Sequence, residues 1–241
     1  MYLSVVIPAY NEEQRIGESL TKTNDYLKKQ GYDFELIVVD DGSDDKTVDL
    51  LRTYSRKITN LVILENEINQ GKGYSVRNGI LASKGDVVLF TDADFSTPIE
   101  EVDKLLHWLA NGYQIAIGSR AMPESQIKIY QAWYRQLMGK SFNKIIQLVL
   151  NLDYYDTQCG FKCFQRDAAL EVFKNLKSCR FSFDVEALYI AKLLGLRVKE
   201  VPICWYNSTG SKVRLIRDSS KMFLDVLQIR FSLDKSKNRA D

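Results

Sequence analysis

The chain has 241 residues, of which 45% are hydrophobic and 27% charged, and its 33 Lys and Arg against 31 Asp and Glu leave a net charge of +2. At roughly 150 residues per domain, that length suits one large α/β domain or a domain with an appendage, and the near-neutral balance excludes the electrostatic signature of a nucleic-acid binder. The apolar share is enough for a real core, yet Gln147 breaks even the densest stretch between Ile145-Ile146 and Leu148-Val149-Leu150, whereas a membrane-spanning helix needs about 20 apolar residues. Met1 leads directly into Leu3-Ser4-Val5-Val6-Ile7 with no basic leader or small-residue cleavage site, so an intracellular or cytosol-facing chain is expected.

In chain order, Leu3 to Ala9 is a β-branched apolar run that ends at Asn11-Glu12-Glu13, as a buried parallel strand ends in a loop. Helical periodicity through Ile16, Leu20, Tyr26 and Leu27 follows, closing near Gly31. Phe34 to Val39 predicts a second strand, and the polar turn Asp40-Asp41-Gly42-Ser43-Asp44 leads into and caps a helix carrying Val48, Leu51 and Tyr54. Leu61 to Leu64, a helix from Gly71 to Ala82, Asp86 to Thr91, a helix from Pro98 to Leu109, and Gln114 to Gly118 continue the alternation. Five strands separated by helices predict a mostly parallel, doubly wound sheet. The ligands of such a sheet lie beyond the carboxyl ends of its strands, where this chain places its acidic clusters.

After Arg120 the alternation stops. No acidic residue occurs from Ser125 to Leu152, where Lys128, Arg135, Lys140 and Lys144 sit among Tyr130, Trp133, Tyr134 and Phe142. A second cationic, amphipathic segment runs from Val213 to Phe231, with Leu215, Met222, Phe223, Val226 and Leu227 at helical spacing beside Arg214, Arg217, Lys221 and Arg230. From Gly210 onward eight Lys and Arg face four Asp, so the even total conceals a division of charge. Each segment could pack on the sheet; their shared basic and aromatic character favours a membrane-surface face. Residues 232 to 241 read as a polar tail.

Several chemistries fail on spacing. Pro8-Ala9-Tyr10-Asn11-Glu12 stands where a dinucleotide fold needs its glycine-rich turn, and Asn66 occupies the position at which a P-loop ending in Gly71-Lys72 needs glycine. Cys159 and Cys163 lack zinc-knuckle spacing, Cys179 and Cys204 stand apart, and His107 is the single histidine, so reduced thiols are expected. There is no G-x-S-x-G elbow for a serine hydrolase. What remains is Thr91-Asp92-Ala93-Asp94 at the end of a strand, where two carboxylates one residue apart can share a hard divalent cation. With Asp40 and Asp41 at the end of an earlier strand, four carboxylates would crowd one rim, and their repulsion calls for a cation or a hydrogen-bonding ligand. Gly71 and Gly73 are expected to open a helix and let backbone approach a ligand.

Taken together, Val6-Ile7-Pro8-Ala9-Tyr10-Asn11-Glu12, Val38-Val39-Asp40-Asp41-Gly42-Ser43, Asn69-Gln70-Gly71-Lys72-Gly73, Asp92-Ala93-Asp94 and Gly118-Ser119-Arg120 resemble family 2 of the inverting nucleotide-sugar glycosyltransferases, which have the GT-A fold. Asp156 to Lys162, Phe183-Asp184-Val185-Glu186, Trp205, Gly210-Ser211-Lys212 and Arg217-Asp218-Ser219 look most like the polyprenyl-phosphate sugar transferases of that family, the dolichyl-phosphate β-glucosyltransferase group in particular. The resemblance spans Leu3 to about Phe231. It implies a single domain over residues 1 to 231, with a nucleotide-sugar part to residue 120 and an acceptor- and membrane-facing part beyond.

By this resemblance Pro8, Ala9, Tyr10, Glu12, Asp41, Gly71, Lys72 and Ala93 would border the nucleotide, and Asp40 would contact the base. Asp92 and Asp94 would serve ribose and a Mg²⁺- or Mn²⁺-bound diphosphate, Arg120 and Arg135 would face phosphate, and Lys212 would belong to a loop closing over the acceptor. Asp156 would orient acceptor-side groups, although its position equally suits a turn or cap. Ser96 departs from the glutamine that related mannosyl enzymes often carry, which implies water in that coordination place. The chain also starts without the N-terminal anchor usual in eukaryotic glucosyl members, so the expectation is peripheral attachment, direct or through a partner, to the cytosolic face of a membrane (endoplasmic reticulum in a eukaryote, inner membrane in a prokaryote).

The implied reaction moves glucose from UDP-glucose to a polyprenyl phosphate. A phosphate monoester has its second pKa near about 6, so its oxygen is largely ionised at neutral pH and a strong general base is dispensable. That suits a chain whose one histidine, His107, falls in a predicted helix with a surface or packing role. Mannose from GDP-mannose, a saccharide acceptor, or a non-catalytic nucleotide-sugar-binding or membrane-binding module are the competing expectations.

Overall fold

The computed structural model describes residues 2–129, 132–207 and 215–237. In chain order the elements are β1 (Tyr2–Ala9), α1 (Ile16–Lys29), β2 (Asp33–Asp40), α2 (Thr47–Ser55), β3 (Leu61–Glu65), α3 (Lys72–Ala82), β4 (Val87–Thr91), α4 (Val102–Ala110), β5 (Ile115–Ser119), β6 (Gln126–Ile129), α5 (Trp133–Leu150), β7 (Phe161–Gln165), α6 (Arg166–Asn175), α7 (Phe183–Leu193), β8 (Val198–Pro202), β9 (Cys204–Tyr206) and α8 (Leu215–Lys237). A 3-10 turn, Ile99–Glu101, precedes α4, so the helix expected from Pro98 starts in a tighter winding.

Seven strands form the main sheet in the order β3-β2-β1-β4-β7-β5-β8, and β6 pairs with β9 in a separate ribbon. The five expected strands are all present, and β1 to β4 pair with one another in parallel. Two main-sheet strands were not expected. β7 enters antiparallel between β4 and β5, so those two strands never touch, and β8 adds a parallel edge beside β5. Lys162, the second residue of β7, interrupts the apolar pattern by which a buried strand is recognised.

Buried side chains alternate across the sheet, as a pleat requires. Val5 and Ile7 face a core layer with Leu20 and Leu27 of α1, Leu51 of α2 and Leu105 of α4. Val6 faces the opposite layer with Val76 and Ile80 of α3, Ile146 of α5, Val172 of α6, Leu188 of α7 and Val226 of α8. With both faces covered, β1, β2 and β4 read as continuous apolar runs. α8 continues to Lys237 and buries Leu233, so the chain stays helical beyond Phe231, where a polar tail was expected. Among the described residues no helix is long and apolar enough to cross a membrane.

β1, β2 and β3 progress in one direction, and the chain then returns to lay β4 on the other side of β1. That reversal opens a crevice between the carboxyl ends of β1 and β4, the place where open α/β sheets bind ligands. The opposite end is stitched shut by Glu35 on β2. Its carboxylate accepts from the Ser4 hydroxyl (2.6 Å) and the Lys84 N–H (2.7 Å), while Ser4 Oγ accepts from the Gly85 N–H (2.8 Å). Glu35→Ala strands those donors in the interior and is expected to cost about 2–3 kcal/mol, read by urea denaturation, with the carboxyl-end site unaltered in the folded protein.

Candidate functional site

A cavity of about 700 Å³ lies at the β1/β4 reversal, lined by Pro8 and Ala9 at the end of β1, Tyr10 and Glu12 after it, Asp92, Ala93, Asp94 and Ser96 after β4, Gly71 and Lys72 at the start of α3, and Arg120 after β5. Its far wall comes from α5 through Gln136, Met138, Lys140 and Phe142, from Asp156 and Gln158, and from Arg180, Asp184, Trp205 and Met222. Asp41 lines it, and Asp40 does not. The side chain of Arg135 and all of Lys212 lie outside the described residues, as do Tyr130 and Arg214.

The four carboxylates expected to repel one another on a common rim are handled separately. Asp40 accepts from the Ser43 N–H (2.9 Å) and hydroxyl (2.5 Å) and is consumed in its own turn. Asp41 accepts from Asn66 Nδ2 (2.9 Å) and from the backbone N–H of Gln70 (2.9 Å) and Gly71 (2.8 Å), which fixes the entry to α3. Neither needs a cation. The turn also meets α2 differently from the capping expected: Lys46 stands at the N-cap with no side-chain cap bond, and Asp45 accepts the Thr47 N–H (2.8 Å).

Asp92 and Asp94 differ from that pair and from each other. Lys72 Nζ reaches Asp92 Oδ1 at 2.6 Å and sits 5.3 Å from the centre of the Phe90 ring and 5.8 Å from that of Phe183. Burial works to lower the Lys72 pKa, but Asp92, Asp184 and Asp94 outweigh it and the pKa rises, so the ammonium stays charged. From the other side the backbone presses on Asp92, since a Cβ at Gly160 would fall 2.1 Å from Asp92 Oδ2. Asp94 forms no ion pair among the described residues and accepts the Ser96 N–H (3.0 Å). Burial, and then the neighbouring Asp92, push its pKa up, while the bonds from Ser96, its side chain included, and the charge of Arg15 act to lower it. A half-buried carboxylate in that position favours the arrival of positive charge.

Two carboxylates suit a hard divalent cation. No group of three His, Cys, Asp or Glu side chains able to hold a metal occurs among the described residues. An ion at Asp94, with Asp92 alongside, would therefore complete its shell from substrate oxygens and water.

Arg120, expected to face phosphate, is bound to the protein. Its Nε and Nη2 donate to Asp156 at 2.6 and 2.9 Å, its backbone N–H adds a third bond at 3.1 Å, and its guanidinium lies 5.6 Å from the centre of the Trp205 ring. Asp156 also accepts the Gln158 N–H at 3.1 Å, so it closes a turn while it holds Arg120. Its own backbone N–H is bound by Glu200 (2.8 Å), whose pKa burial raises.

Lys162, Asp184 and Glu186 carry no distinct sequence signal beyond their motifs, yet they build the wall behind Lys72. Lys162 Nζ contacts Asp184 Oδ1 and the Cys159 carbonyl, each at 2.5 Å, with both ionic side chains almost fully buried. Burial raises the Asp184 pKa, opposed by Lys162 and Lys72. Glu186 accepts the backbone N–H of Lys177 and Ser178, and Ser182 donates to Asp225 of α8 at 2.8 Å. Gly71 (φ 103°) and Gly73 permit close approach, but to the chain itself: Cβ atoms there would lie 2.5 Å from the carbonyls of Cys179 and Ser178. Cys159 and Cys163 are buried thiols, the former pushed up to about 12 by burial and Asp156. His107 is exposed on α4 and lies outside the cavity lining.

The model of the family described as Glycosyl transferase family 2 matches residues 4–173. The dolichyl-phosphate beta-glucosyltransferase of Homo sapiens is 36% identical over 241 residues, covering 95% of this chain and 74% of that one. Its counterpart from Dictyostelium discoideum is 35% identical over 96% of this chain and 74% of its own length, and that of Drosophila melanogaster 39% identical over 88% and 69%. Among solved structures, mannosyl-3-phosphoglycerate synthase from Rubrobacter xylanophilus superposes with a TM-score of 0.73 at 18% identity over 99% of this chain and 76% of that one. Glucosyl-3-phosphoglycerate synthase from Mycobacterium tuberculosis, crystallised with Mn²⁺, UDP-glucose and phosphoglyceric acid, gives 0.71 at 19% identity over 95% and 79%. These likenesses fix the fold as GT-A.

Burial alone would raise the Asp156 pKa, but Arg120 draws it below the ordinary value. A carboxyl with a folded-state pKa below its unfolded value of about 3.9 stabilises the fold above that value and loses the contribution as pH falls through the folded pKa. Asp156→Ala, which leaves Arg120 unpaired, is expected to cost about 3 kcal/mol. In chemical denaturation between pH 6 and pH 3, the gap between wild type and variant should close toward the acid end.

Proposed function

The chain belongs to glycosyl transferase family 2, and from that membership we propose that it transfers glucose from UDP-glucose to a polyprenyl phosphate of the dolichyl type, with inversion at the anomeric carbon. The observation that carries this reading is the set of relatives at 35–39% identity over most of the chain, which share the name dolichyl-phosphate beta-glucosyltransferase.

The cavity supports it chemically. Pro8, Ala9, Tyr10 and Glu12 form the wall against which a nucleotide would lie, with Asp41 holding the start of α3 in place opposite. Mg²⁺ or Mn²⁺ at Asp94 would supply charge opposing the departing diphosphate. Lys72 holds Asp92 in one orientation and keeps positive charge close to that position. Arg120, clamped by Asp156, presents a fixed guanidinium on the acceptor side of the cavity. A phosphate acceptor arrives already ionised, so the task left to the protein is to bring two anions together and keep water out.

Attachment to a membrane surface is part of the same proposal. Of the fourteen exposed large hydrophobic side chains among the described residues, eight lie on α5 or α8, among them Trp133 (75% exposed), Leu148 (83%), Leu224 (64%) and Phe231 (66%). Both helices also turn an apolar face inward, through Ile146 and Leu150 on one and Val226 and Ile229 on the other. An outer face combining these side chains with Lys140 and Lys144 matches the headgroup boundary of an anionic leaflet.

Asp94→Asn is expected to lower metal-dependent transfer from UDP-glucose to citronellyl phosphate by at least about 10²-fold with an unchanged circular dichroism spectrum, and full activity in that variant would remove Asp94 from the metal site. Running GDP-mannose alongside as donor separates the mannosyl reading. In flotation with vesicles containing phosphatidylserine, wild-type protein should rise with the lipid while a Trp133→Glu, Leu137→Glu double variant stays behind. Wild-type protein that fails to float would count against direct attachment.

A further inference from the structure

Among the described residues, five basic side chains line the cavity: Arg15, Lys72, Arg120, Lys140 and Arg180. Three already face a carboxylate, as Arg15 pairs with Glu12, Lys72 with Asp92 and Arg120 with Asp156. Lys140 and Arg180 form no ion pair among the described residues. Among the described residues, a cavity that receives phosphate has uncommitted positive charge at these two places. Lys140 projects from the exposed side of α5, a flexible stem on a surface helix.

Arg180 stands on a backbone held from several sides. The Cys179 carbonyl accepts the Tyr74 N–H (3.0 Å), the Arg180 carbonyl accepts the Phe183 N–H (3.4 Å), and Glu186 grips the Lys177 and Ser178 N–H groups. The Arg180 stem lies over Gly71, where a Cβ would come within 3.0 Å of Arg180 Cγ. Its guanidinium is thus carried to the mouth beside the first turn of α3 on a fixed segment, and the planar fork of arginine matches two phosphate oxygens.

We propose that Arg180 binds a phosphate oxyanion of the reactants, an inference that rests on the glycosyl-transfer reading of this cavity. The group is a phosphate in either case, and its source is the donor diphosphate or the lipid monoester. Calorimetric titration of wild type, Arg180→Ala and Arg180→Lys with UDP, citronellyl phosphate and uridine distinguishes them. Arg180→Ala should bind UDP or citronellyl phosphate at least tenfold more weakly, with Arg180→Lys recovering part of the loss and uridine, which lacks phosphate, unaffected. A loss confined to UDP assigns the donor, and one confined to citronellyl phosphate assigns the acceptor. Wild-type affinity for both phosphates in Arg180→Ala, or an equal loss for all three ligands, overturns the proposal. A selective loss of UDP affinity would stand even if no glucose reached a prenyl phosphate, so the two readings fail separately.

Discussion

Six carboxylates, those of Glu12, Asp41, Asp92, Asp94, Asp156 and Asp184, line one cavity at the carboxyl end of the sheet. Like charges so placed would raise one another's pKa and open the fold unless each had a partner. Arg15, Lys72, Arg120 and Lys162 serve four of them, and backbone N–H groups serve Asp41. The arrangement of the surrounding loops follows from supplying those partners. The Gly71 turn brings backbone N–H groups to Asp41, the strand β7 delivers Lys162 beneath Asp184, and the turn at Asp156 closes over Arg120. Asp94 is the exception, with bonds from Ser96 but no ion pair among the described residues, and so it is a position that favours added positive charge.

This pattern explains what could be read in the sequence. β1 through β5 announce themselves because strands buried on both faces are continuous apolar runs, and each ends in a polar cluster. β7 does not, because the residue that matters most in it is a lysine whose charge is cancelled by Asp184, a partner 22 positions away that local pattern cannot reveal. The same distance hides the difference among the acidic residues. Asp40-Asp41 and Asp92-Ala93-Asp94 look alike as strand-end clusters, yet the first pair meets hydrogen-bond donors from its own and an adjacent turn while the second faces the crevice. Glycine was legible as a mark of close approach at Gly71 and Gly73, but which backbone approaches depends on the 178–180 segment, which the sequence places a hundred residues away.

The two amphipathic helices were legible as amphipathic, and the alternatives of core packing and surface exposure proved to be two sides of the same helices. α5 and α8 must cover the sheet layer built by α3, α6 and α7, which fixes Ile146, Leu150, Val226 and Ile229 inward. What remains outward is unusually apolar for a solvated face, with Trp133, Leu148, Leu224 and Phe231 open. The near-neutral net charge of +2 is therefore an average over an acidic rim compensated from within and an outer face on which Lys140 and Lys144 form no ion pair among the described residues.

Those two regions meet in the cavity itself. One wall, at β1 and β4, is made of strand ends and the loops after them, whereas the far wall includes α5 and Met222 of α8, the same helices that carry the exposed apolar face. On the proposed reading, a phosphate group on a lipid beneath those helices would reach the cavity from that side. The lone histidine lies away from this path, on α4, so no imidazole stands ready to remove a proton. An acceptor that already carries its negative charge removes the need for one.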